Sequence, residues 1–267
     1  MRYLILISLF ISSTFISGCF WNVEEKREAI SMGLSPKGMY DLAQVSIEGG
    51  AIDESIEILE KLQAAYPSSK YTIQSKIDIA YQLYKRSRHD EAIDRLNDFL
   101  KFYPDHFITP YALYLRGVIA EDKSKSILDE YNITDNAQRD VSSVKNAVNY
   151  FIDLIKRYPN SKYSEEAQSK LITLRNVLAR HELFVAIFYA KNSSYVASIN
   201  RCKYIIDKFP NTPSVPAALH LIAYNYDKIN ASKLAKDARR VLKASYPKYT
   251  PHYSLEDWCI KLSASSL

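Results

Sequence analysis

Cys19 is the side chain with the clearest chemical use, because it closes an 18-residue N-terminal segment that is typical of a secretion signal. The segment carries one base, Arg2, and no acid, and an apolar run extends from Tyr3 to Ile11. It ends on Ser17-Gly18, small residues that suit a cleavage site. A transmembrane helix needs about 20 apolar residues, and serines interrupt this run, so a membrane span is disfavoured. This order of a basic residue, an apolar run and small residues predicts export of the protein. The Cys19 thiol lies directly after the predicted cleavage point.

The four residues Ile16-Ser17-Gly18-Cys19 resemble the lipobox of bacterial lipoproteins, with isoleucine in place of the usual leucine. In that family the cysteine thiol receives diacylglycerol, the signal is cut before it, and the new amine is acylated. The resemblance implies N-palmitoyl and S-diacylglycerol groups on Cys19, and several acyl chains anchor firmly at about 0.8 kcal/mol per buried CH₂. Phe20 rather than aspartate implies transfer to the outer membrane, facing the periplasm. The alternative is an ordinary cleaved signal with an incidental cysteine.

The other residues that commonly do chemistry do not converge in the sequence. His181-Glu182 has no second histidine at the spacing that a zinc-binding helix needs. No serine sits in a nucleophile elbow, and no glycine-rich loop could hold a phosphate. The acid pairs Glu24-Glu25 and Glu165-Glu166 are adjacent, so on a helix they point apart. We therefore expect no catalysis, no metal and no cofactor. The five histidines are His89, His106, His181, His220 and His252.

Two cysteines remain after Cys19, at positions 202 and 259. Cys202 falls four residues after Ser198, on a helix face expected to meet the core, so a buried structural thiol is favoured. A Cys202–Cys259 disulfide is the alternative in an oxidising compartment.

Charge gives no indication of a nucleic-acid partner. Loss of Arg2 with the signal lowers the formal net charge from +5 to +4. No basic stripe or base-stacking aromatic motif accompanies this balance, so we expect no nucleic-acid binding.

The elements that must position these side chains form an internal repeat, marked by five aromatic residues that directly precede proline. A small residue lies twelve positions before each proline, where it would let two helices approach closely. Proline then ends the second helix, and the aromatic residue could wedge against the next repeat. The pattern is typical of tetratricopeptide repeats. The pairs are Tyr66-Pro67, Tyr103-Pro104, Tyr158-Pro159, Phe209-Pro210 and Tyr246-Pro247, and the small residues are Ser55, Ala92, Ala147, Ser198 and Ala235, with Ala80, Gly117 and Ala223 thirteen positions after three of the prolines.

The unequal spacing of the prolines predicts where the repeats are interrupted. The prolines of successive aromatic-proline pairs are 37, 55, 51 and 37 residues apart, against a period of about 34. Polar residues 123–143 predict a loop after a lengthened first helix in repeat three. No glycine or proline occurs from Ser164 to Lys191, which predicts one helix of about 28 residues in repeat four. The fold class predicted is all-α: a right-handed superhelical solenoid of five tetratricopeptide-type repeats, with insertions in repeats three and four.

The chain divides into segments at the repeat boundaries. Pro36 suits a first helical turn, Gly49-Gly50 breaks the first helix, and Asp53 is expected to cap the second. The predicted segments are a signal peptide (1–18), a lipidated tether (19–35), repeats one and two (36–107), repeat three with its insertion loop (108–162), repeats four and five (163–246) and a C-terminal tail (247–267).

Tyrosine is unusually frequent, with 21 residues. Many of them fall on first helices or at repeat joints, where they could wedge repeats together. They could also line a concave surface that binds extended peptide, because tyrosine combines apolar area with a hydroxyl group. Both interpretations stay open for Tyr66, Tyr71, Tyr81 and Tyr84.

Several longer motifs, together with the lipobox, resemble the BamD/ComL family of outer-membrane-protein assembly lipoproteins, over nearly the whole mature chain up to about Leu242. The Tyr66-to-Tyr71 turn departs from the family, because it lacks the glycine and phenylalanine that some members show. The motifs are Tyr114-Leu115-Arg116-Gly117, Gln138-Arg139-Asp140, Arg157-Tyr158-Pro159-Asn160-Ser161, and Val196-Ala197 with Asn200-Arg201 before Phe209-Pro210.

This resemblance implies a non-catalytic scaffold in the BAM complex, which folds and inserts β-barrel proteins. The C-terminal repeats would hold the POTRA region of BamA, and the N-terminal repeats would receive the signal of an unfolded outer-membrane protein. Other BAM lipoproteins would be further partners. The alternative function is a periplasmic tetratricopeptide adaptor for cell-wall or envelope organisation. The implied BamA contacts are Arg201, Asn200, Arg139 and Asp140, and the candidate peptide-binding residues are Tyr66, Tyr71, Tyr81 and Tyr84.

Overall fold

The computed structural model describes residues 33–125, 137 and 140–251. Ten α-helices, and no strand, occur within these residues, in five consecutive pairs, so the all-α tetratricopeptide-type fold is confirmed. The helices are α1 (Pro36–Glu48), α2 (Ile52–Ala65), α3 (Lys70–Lys85), α4 (His89–Phe102), α5 (Thr109–Lys123), α6 (Ser142–Arg157), α7 (Lys162–Lys191), α8 (Tyr195–Lys208), α9 (Ser214–Lys228) and α10 (Ser232–Ser245).

Two compact units make up the chain, the first ending at Arg95 and the second beginning at Leu96, both within α4. In the first unit α1 packs against α2 and α3, and α2 packs against α3. In the second unit α5 packs against α6, α7 against α6 and α8, and α9 against α8 and α10. The helices in these pairs therefore bury their apolar faces against neighbours in the chain, as repeat proteins do.

The small residues predicted at the helix crossings are buried, as expected. Gly117 makes the closest approach, because a Cβ added there would lie 2.4 Å from Cε1 of Phe151 on α6. Only a residue without a side chain allows α5 and α6 to pack this closely around the Phe151 ring. The buried members are Ser55, Ala80, Ala92, Ala147, Ser198, Ala223 and Ala235.

The aromatic residue before each proline ends a helix in the same way. Tyr66, Tyr158 and Tyr246 share φ near −133° and ψ between 60° and 65°, and Phe209 is close to them at −125° and 49°. In each case the backbone N–H still donates to the carbonyl four residues earlier, while ψ has left the α-helical region, which is disfavoured for a residue that precedes proline. The pairs therefore act as helix stops, as predicted.

The direction in which these aromatic side chains pack differs from the prediction. The Tyr66 hydroxyl donates to the Leu34 carbonyl at 2.9 Å, and the Tyr158 hydroxyl donates to the Pro104 carbonyl at 2.8 Å. Both acceptors precede the first helix of the same repeat, whereas the sequence suggested a wedge against the next one. Each of these two tyrosines therefore links the end of the second helix of a repeat to the segment that precedes the first helix of the same repeat.

The two insertions are accommodated differently. Helix α7 has 30 residues, which confirms the prediction of one long helix in repeat four. The prediction of a lengthened first helix in repeat three is wrong, because α5 has 15 residues and ends at Lys123. The extra residues of repeat three lie between α5 and α6 instead. In the described part of the chain, no helix combines the length and the apolar character needed to cross a membrane.

The start of the first repeat confirms one expectation and corrects another. Pro36 occupies the first turn of α1, where the Ser35 hydroxyl accepts from the Gly38 N–H at 3.2 Å. Asp53 does not cap α2, since Ala51 holds that position without a side-chain bond. The Asp53 carboxylate lies in the first turn and pairs with Arg86 at 2.7 Å.

Candidate functional site

A buried carboxylate on α7 holds an exposed guanidinium on α8. The Glu182 side chain is 11% exposed, and its Oε2 accepts from NH1 of Arg201 at 3.0 Å. The Arg201 side chain is 45% exposed. Arg201 belongs to the predicted BamA-contact set, whereas sequence reasoning considered Glu182 only as a failed metal ligand. An acid at a core position of the long helix is the signal that could have identified it, because buried acids are normally paired.

Guanidinium carries five N–H donors, and the bond to Glu182 uses only one of them. Because Glu182 fixes the side chain, the outward part of the fork is oriented before any ligand arrives. Planar carboxylates are the groups that such a fork binds best, often through two parallel hydrogen bonds. Arg201 therefore offers an oriented cationic contact for an acidic group on a partner.

The repeat-three insertion returns to the core beside this ion pair. Ala137 is buried, and its carbonyl oxygen lies 2.7 Å from Nδ1 of His181, the residue before Glu182 on α7. Val141, which follows the insertion, is also buried. The structure thus brings the residue before the Gln138-Arg139-Asp140 motif into contact with the helix that positions Arg201. Gln138 and Arg139 lie outside the described residues, so the predicted role of Arg139 is untested.

Asp140 has a local structural role that the sequence did not indicate. Its carboxylate accepts from the backbone N–H of Ser142 at 3.0 Å and from the Ser142 hydroxyl at 2.5 Å. These hydrogen bonds lower the pKa of Asp140, so the residue holds the start of α6 as a carboxylate. The side chain is exposed, which leaves a contact with BamA a prediction.

The exposed face of α8 beside Arg201 mixes polar and apolar groups. Asn200 is exposed, as a contact residue must be. Val196 and Tyr204 are 60% and 43% exposed, and they fall one helical turn to either side of Asn200. Apolar side chains around a fixed cation are typical of a protein-binding surface.

In the first unit, Tyr71 belongs to a cluster that joins α1 to α3. Its ring centroid lies 5.4 Å from that of Tyr40, and Nζ of Lys70 lies 5.2 Å above the Tyr71 ring. The Tyr40 hydroxyl donates to Oδ2 of Asp78 at 2.7 Å, and Nε2 of Gln74 donates to Oδ1 at 2.9 Å. We call Tyr40, Tyr71 and Asp78 the first tyrosine cluster.

Burial dominates the electrostatics of this cluster. It raises the pKa of Asp78, although the hydrogen bonds from Tyr40 and Gln74 act in the opposite direction. Burial, followed by the bond to Asp78, also raises the pKa of Tyr40. The sequence reasoning included Tyr71 as a candidate but omitted Asp78, because a single acid between apolar residues looks like an ordinary surface residue of a helix.

The other three predicted peptide-binding tyrosines occupy different environments. The Tyr66 hydroxyl already donates a hydrogen bond to the Leu34 carbonyl, which favours a structural role for this tyrosine over peptide binding. Tyr81 is 39% exposed and lies edge-on to Tyr84 at 6.3 Å between ring centroids. Tyr84 in turn lies 5.9 Å from His89. The structure therefore places Tyr71 in the first tyrosine cluster, while Tyr81 and Tyr84 form a separate pair towards the end of α3.

Cys202 is completely buried, as expected for a structural thiol, and burial raises its pKa to about 12. Cys19 and Cys259 lie outside the described residues, so lipidation and disulfide pairing stay predictions. The same holds for the signal peptide, for most of the 19–35 tether and for the tail beyond residue 251.

The comparisons with known proteins agree on one family. A family model described as YfiO, outer membrane lipoprotein, matches residues 32–242. An outer membrane protein assembly factor BamD of Neisseria gonorrhoeae is 33% identical over 224 residues, which cover 84% of each chain. The BamD of Xylella fastidiosa strain Temecula1 is 30% identical over 91% of this chain and 81% of its own. The BamD of Haemophilus influenzae is 27% identical over 93% of both chains.

Solved structures of tetratricopeptide proteins also align with this chain, at low identity. The TPR2AB domain of yeast Sti1 in complex with an Hsp90 peptide covers 80% of this chain and 78% of its own, at 12% identity and a TM-score of 0.41.

Proposed function

Because this chain belongs to the YfiO family of outer membrane lipoproteins, we propose that it is a scaffold subunit of the outer-membrane β-barrel assembly machinery. The scaffold is non-catalytic, as the assembly-factor relatives and the tetratricopeptide fold indicate. Its C-terminal repeats bind the POTRA region of BamA, and its N-terminal repeats receive unfolded barrel proteins. The family match carries this proposal, since it extends from the start of α1 into α10.

The proposed BamA surface centres on Arg201. The exposed guanidinium, fixed by buried Glu182, supports recognition of a carboxylate on the partner. Exposed Asn200 and the apolar groups Val196 and Tyr204 would surround that contact. A central hydrogen-bonded cation in a partly apolar setting is the kind of residue that dominates the binding energy of an interface.

Co-purification with BamA after gentle detergent extraction tests this surface. Replacing Arg201 alone would leave the Glu182 charge buried without its partner, which destabilises the fold. The informative variant is therefore the double substitution Glu182→Gln/Arg201→Met, which removes both charges and retains side-chain volume. We expect it to fold and to recover at least tenfold less BamA than the unsubstituted protein.

Arg88→Met is the matched control, because Arg88 is a similarly exposed arginine in the N-terminal repeats, where it pairs with Glu91. It should leave BamA recovery unchanged. Full BamA recovery with the double variant would contradict the Arg201 surface. Absence of BamA from the unsubstituted sample, with cell-wall enzymes in its place, would favour the envelope-adaptor function instead.

The remaining parts of the proposal concern the lipid anchor, the peptide-binding site and the other partners. Acylated Cys19 anchors the protein to the periplasmic face of the outer membrane. The first tyrosine cluster receives the barrel-protein peptide, supported by its half-buried rings and the cation at its edge. Other BAM lipoproteins complete the set of proposed partners.

A further inference from the structure

One of the joints between repeats occurs twice in nearly the same form. Residues 66–71 read Tyr-Pro-Ser-Ser-Lys-Tyr and residues 158–163 read Tyr-Pro-Asn-Ser-Lys-Tyr, so five of the six positions are identical. The Ser69 hydroxyl accepts from the Tyr71 N–H at 3.3 Å, and the Ser161 hydroxyl accepts from the Tyr163 N–H at the same distance. The second copy lies entirely within the second compact unit.

Repeat architecture alone does not require this duplication. The joint at residues 103–108 reads Tyr-Pro-Asp-His-Phe-Ile, and the joint at 209–214 reads Phe-Pro-Asn-Thr-Pro-Ser. Both stop a helix with an aromatic-proline pair, yet neither has the lysine-tyrosine step that begins α3 and α7. Lys248-Tyr249 also follows the last aromatic-proline pair, but no described helix begins there. Among the four joints that lead into a described helix, the Lys-Tyr step therefore occurs at two.

Around Tyr163, α5 and α7 build a cluster that resembles the first tyrosine cluster, with one more tyrosine and a glutamate in place of the aspartate. The Tyr163 ring centroid lies 5.4 Å from that of Tyr111 and 5.4 Å from that of Tyr114. Nζ of Lys162 lies 5.0 Å above the Tyr163 ring, and the Tyr114 hydroxyl donates to the carboxylate of Glu166. We call Tyr111, Tyr114, Tyr163 and Glu166 the second tyrosine cluster.

In both clusters the same groups are left for a ligand. Among the described residues, the hydroxyls of Tyr71 and Tyr163 have no hydrogen-bond partner, and neither Lys70 nor Lys162 pairs with a carboxylate. Each cluster thus presents a half-buried ring, a phenolic hydroxyl and an ammonium group close together. By contrast, Tyr40 and Tyr114 are engaged by the carboxylates Asp78 and Glu166, which hold the supporting rings in place.

We propose that the second tyrosine cluster is a second peptide-binding site, which takes an aromatic side chain adjacent to a carboxylate in an extended segment. The ligand ring packs against the exposed part of the Tyr163 ring, its carboxylate approaches Lys162, and its backbone hydrogen-bonds to the Tyr163 hydroxyl. A peptide that ends in an aromatic residue presents both groups together. The inference rests on the proposed function, because it assigns to the second cluster the ligand class proposed for the first.

Isothermal titration of the full-length mature protein with a synthetic peptide ending in phenylalanine tests the inference. We expect two peptides per protein, and one per protein after either Tyr71→Ala or Tyr163→Ala. Loss of a stacked ring and its hydroxyl should weaken the altered site by about tenfold or more, equivalent to about 1.4 kcal/mol. Amidation of the peptide carboxyl should weaken both sites.

Tyr163→Phe separates the two contributions, because it retains the ring and removes only the hydroxyl, so it should weaken the second site less than Tyr163→Ala does. Circular dichroism melting of each variant shows whether a loss reflects unfolding. One peptide per protein, lost entirely with Tyr71→Ala and unaffected by Tyr163→Ala, would overturn the second site while leaving the proposed function intact. No binding to the unsubstituted protein would instead remove the peptide-receiving function itself.

Discussion

At the scale of single residues, burial and hydrogen bonding oppose each other at Asp78. Burial favours the neutral acid, whereas the bonds from Tyr40 and Gln74 favour the carboxylate, and burial is the larger effect. The folded protein therefore holds the Asp78 proton more tightly than the unfolded chain does. Ionised Asp78 lowers stability, and this loss develops as the pH rises from the ordinary pKa of about 3.8 through the folded-state value.

Asp78→Asn should remove this pH dependence, because the amide does not ionise and its oxygen can still accept from Tyr40. We expect the free energy of unfolding of the variant to decline less than that of the unsubstituted protein across the window above about pH 4. Urea titrations at several pH values measure the difference. Asp237→Asn on α10 is a control acid, and parallel pH curves for Asp78→Asn and the unsubstituted protein would contradict the expectation.

Gly117→Ala should destabilise the second unit, because the new methyl would overlap the Phe151 ring at 2.4 Å. Overpacking of this kind costs about 1–3 kcal/mol, which exceeds the gain in helix propensity from removing a glycine. Chemical denaturation measures the change. Gly38→Ala is the matched control, since its Cβ would meet the Leu34 side chain at an ordinary 3.4 Å, and it should be neutral or mildly stabilising. Equal effects at the two glycines would refute the packing argument.

At the scale of elements, the helix joints contain a hydrogen-bond pattern that the aromatic-proline pairs did not reveal. A hydroxyl six residues after the aromatic residue donates back to that residue's carbonyl in three joints. The same carbonyl also accepts from the backbone N–H three residues after it, so both of its lone pairs are used. The three pairs are Thr72 to Tyr66 at 2.5 Å, Thr109 to Tyr103 at 2.7 Å and Ser164 to Tyr158 at 2.6 Å.

Thr72→Val should cost about 1 kcal/mol, because it removes one of these hydrogen bonds while it keeps the shape of the side chain. The loss is modest since the Tyr66 carbonyl retains its bond from Ser69. Thr173→Val, at an exposed position of α7, should change the free energy of unfolding by much less. Thermal or urea unfolding of the pair of variants provides the comparison, and a cost that is the same at both positions would rule out a specific joint contribution.

The helices themselves were largely predictable from sequence, and the reason lies in their periodic burial. The absence of glycine and proline from Ser164 to Lys191 indicated α7 to within two residues of its 30-residue length. The ends of α5 and the cap of α2 were not predictable, because polar residues such as Asp53 suit a cap and an ion pair equally well. The Glu182–Arg201 pair was also missed, since nothing local in the sequence shows that α7 and α8 bring these two residues together.

At the scale of the whole molecule, we propose that the helical repeats provide the partner-binding surfaces and that the lipid on Cys19 holds the protein at the membrane. In our proposal membrane attachment depends on Cys19. The acyl chains on this residue supply the binding energy for that attachment.

Cys19→Ser should release the protein from the membrane fraction, because no thiol remains to receive diacylglycerol. Cell fractionation followed by immunoblotting measures the distribution, and mass spectrometry of the purified protein reports the acyl groups. Cys202→Ala is the control cysteine, since Cys202 is buried within the helices and should not affect partitioning. Retention of Cys19→Ser in the membrane without BamA would show that another feature of the chain provides the anchor.

The length of α7 has a consequence for how the second unit opens. At 1.5 Å per residue it extends for about 45 Å, with its first turns at Tyr163 and Lys170 against α5 and its last turns at Ala186 and Ala190 in the core shared with α8 and α9. In an ordinary repeat array neighbouring units can fray separately. Here one continuous helix belongs to two of them. Amide hydrogens on α5 and α9 should therefore exchange through one common opening, with nearly equal free energies.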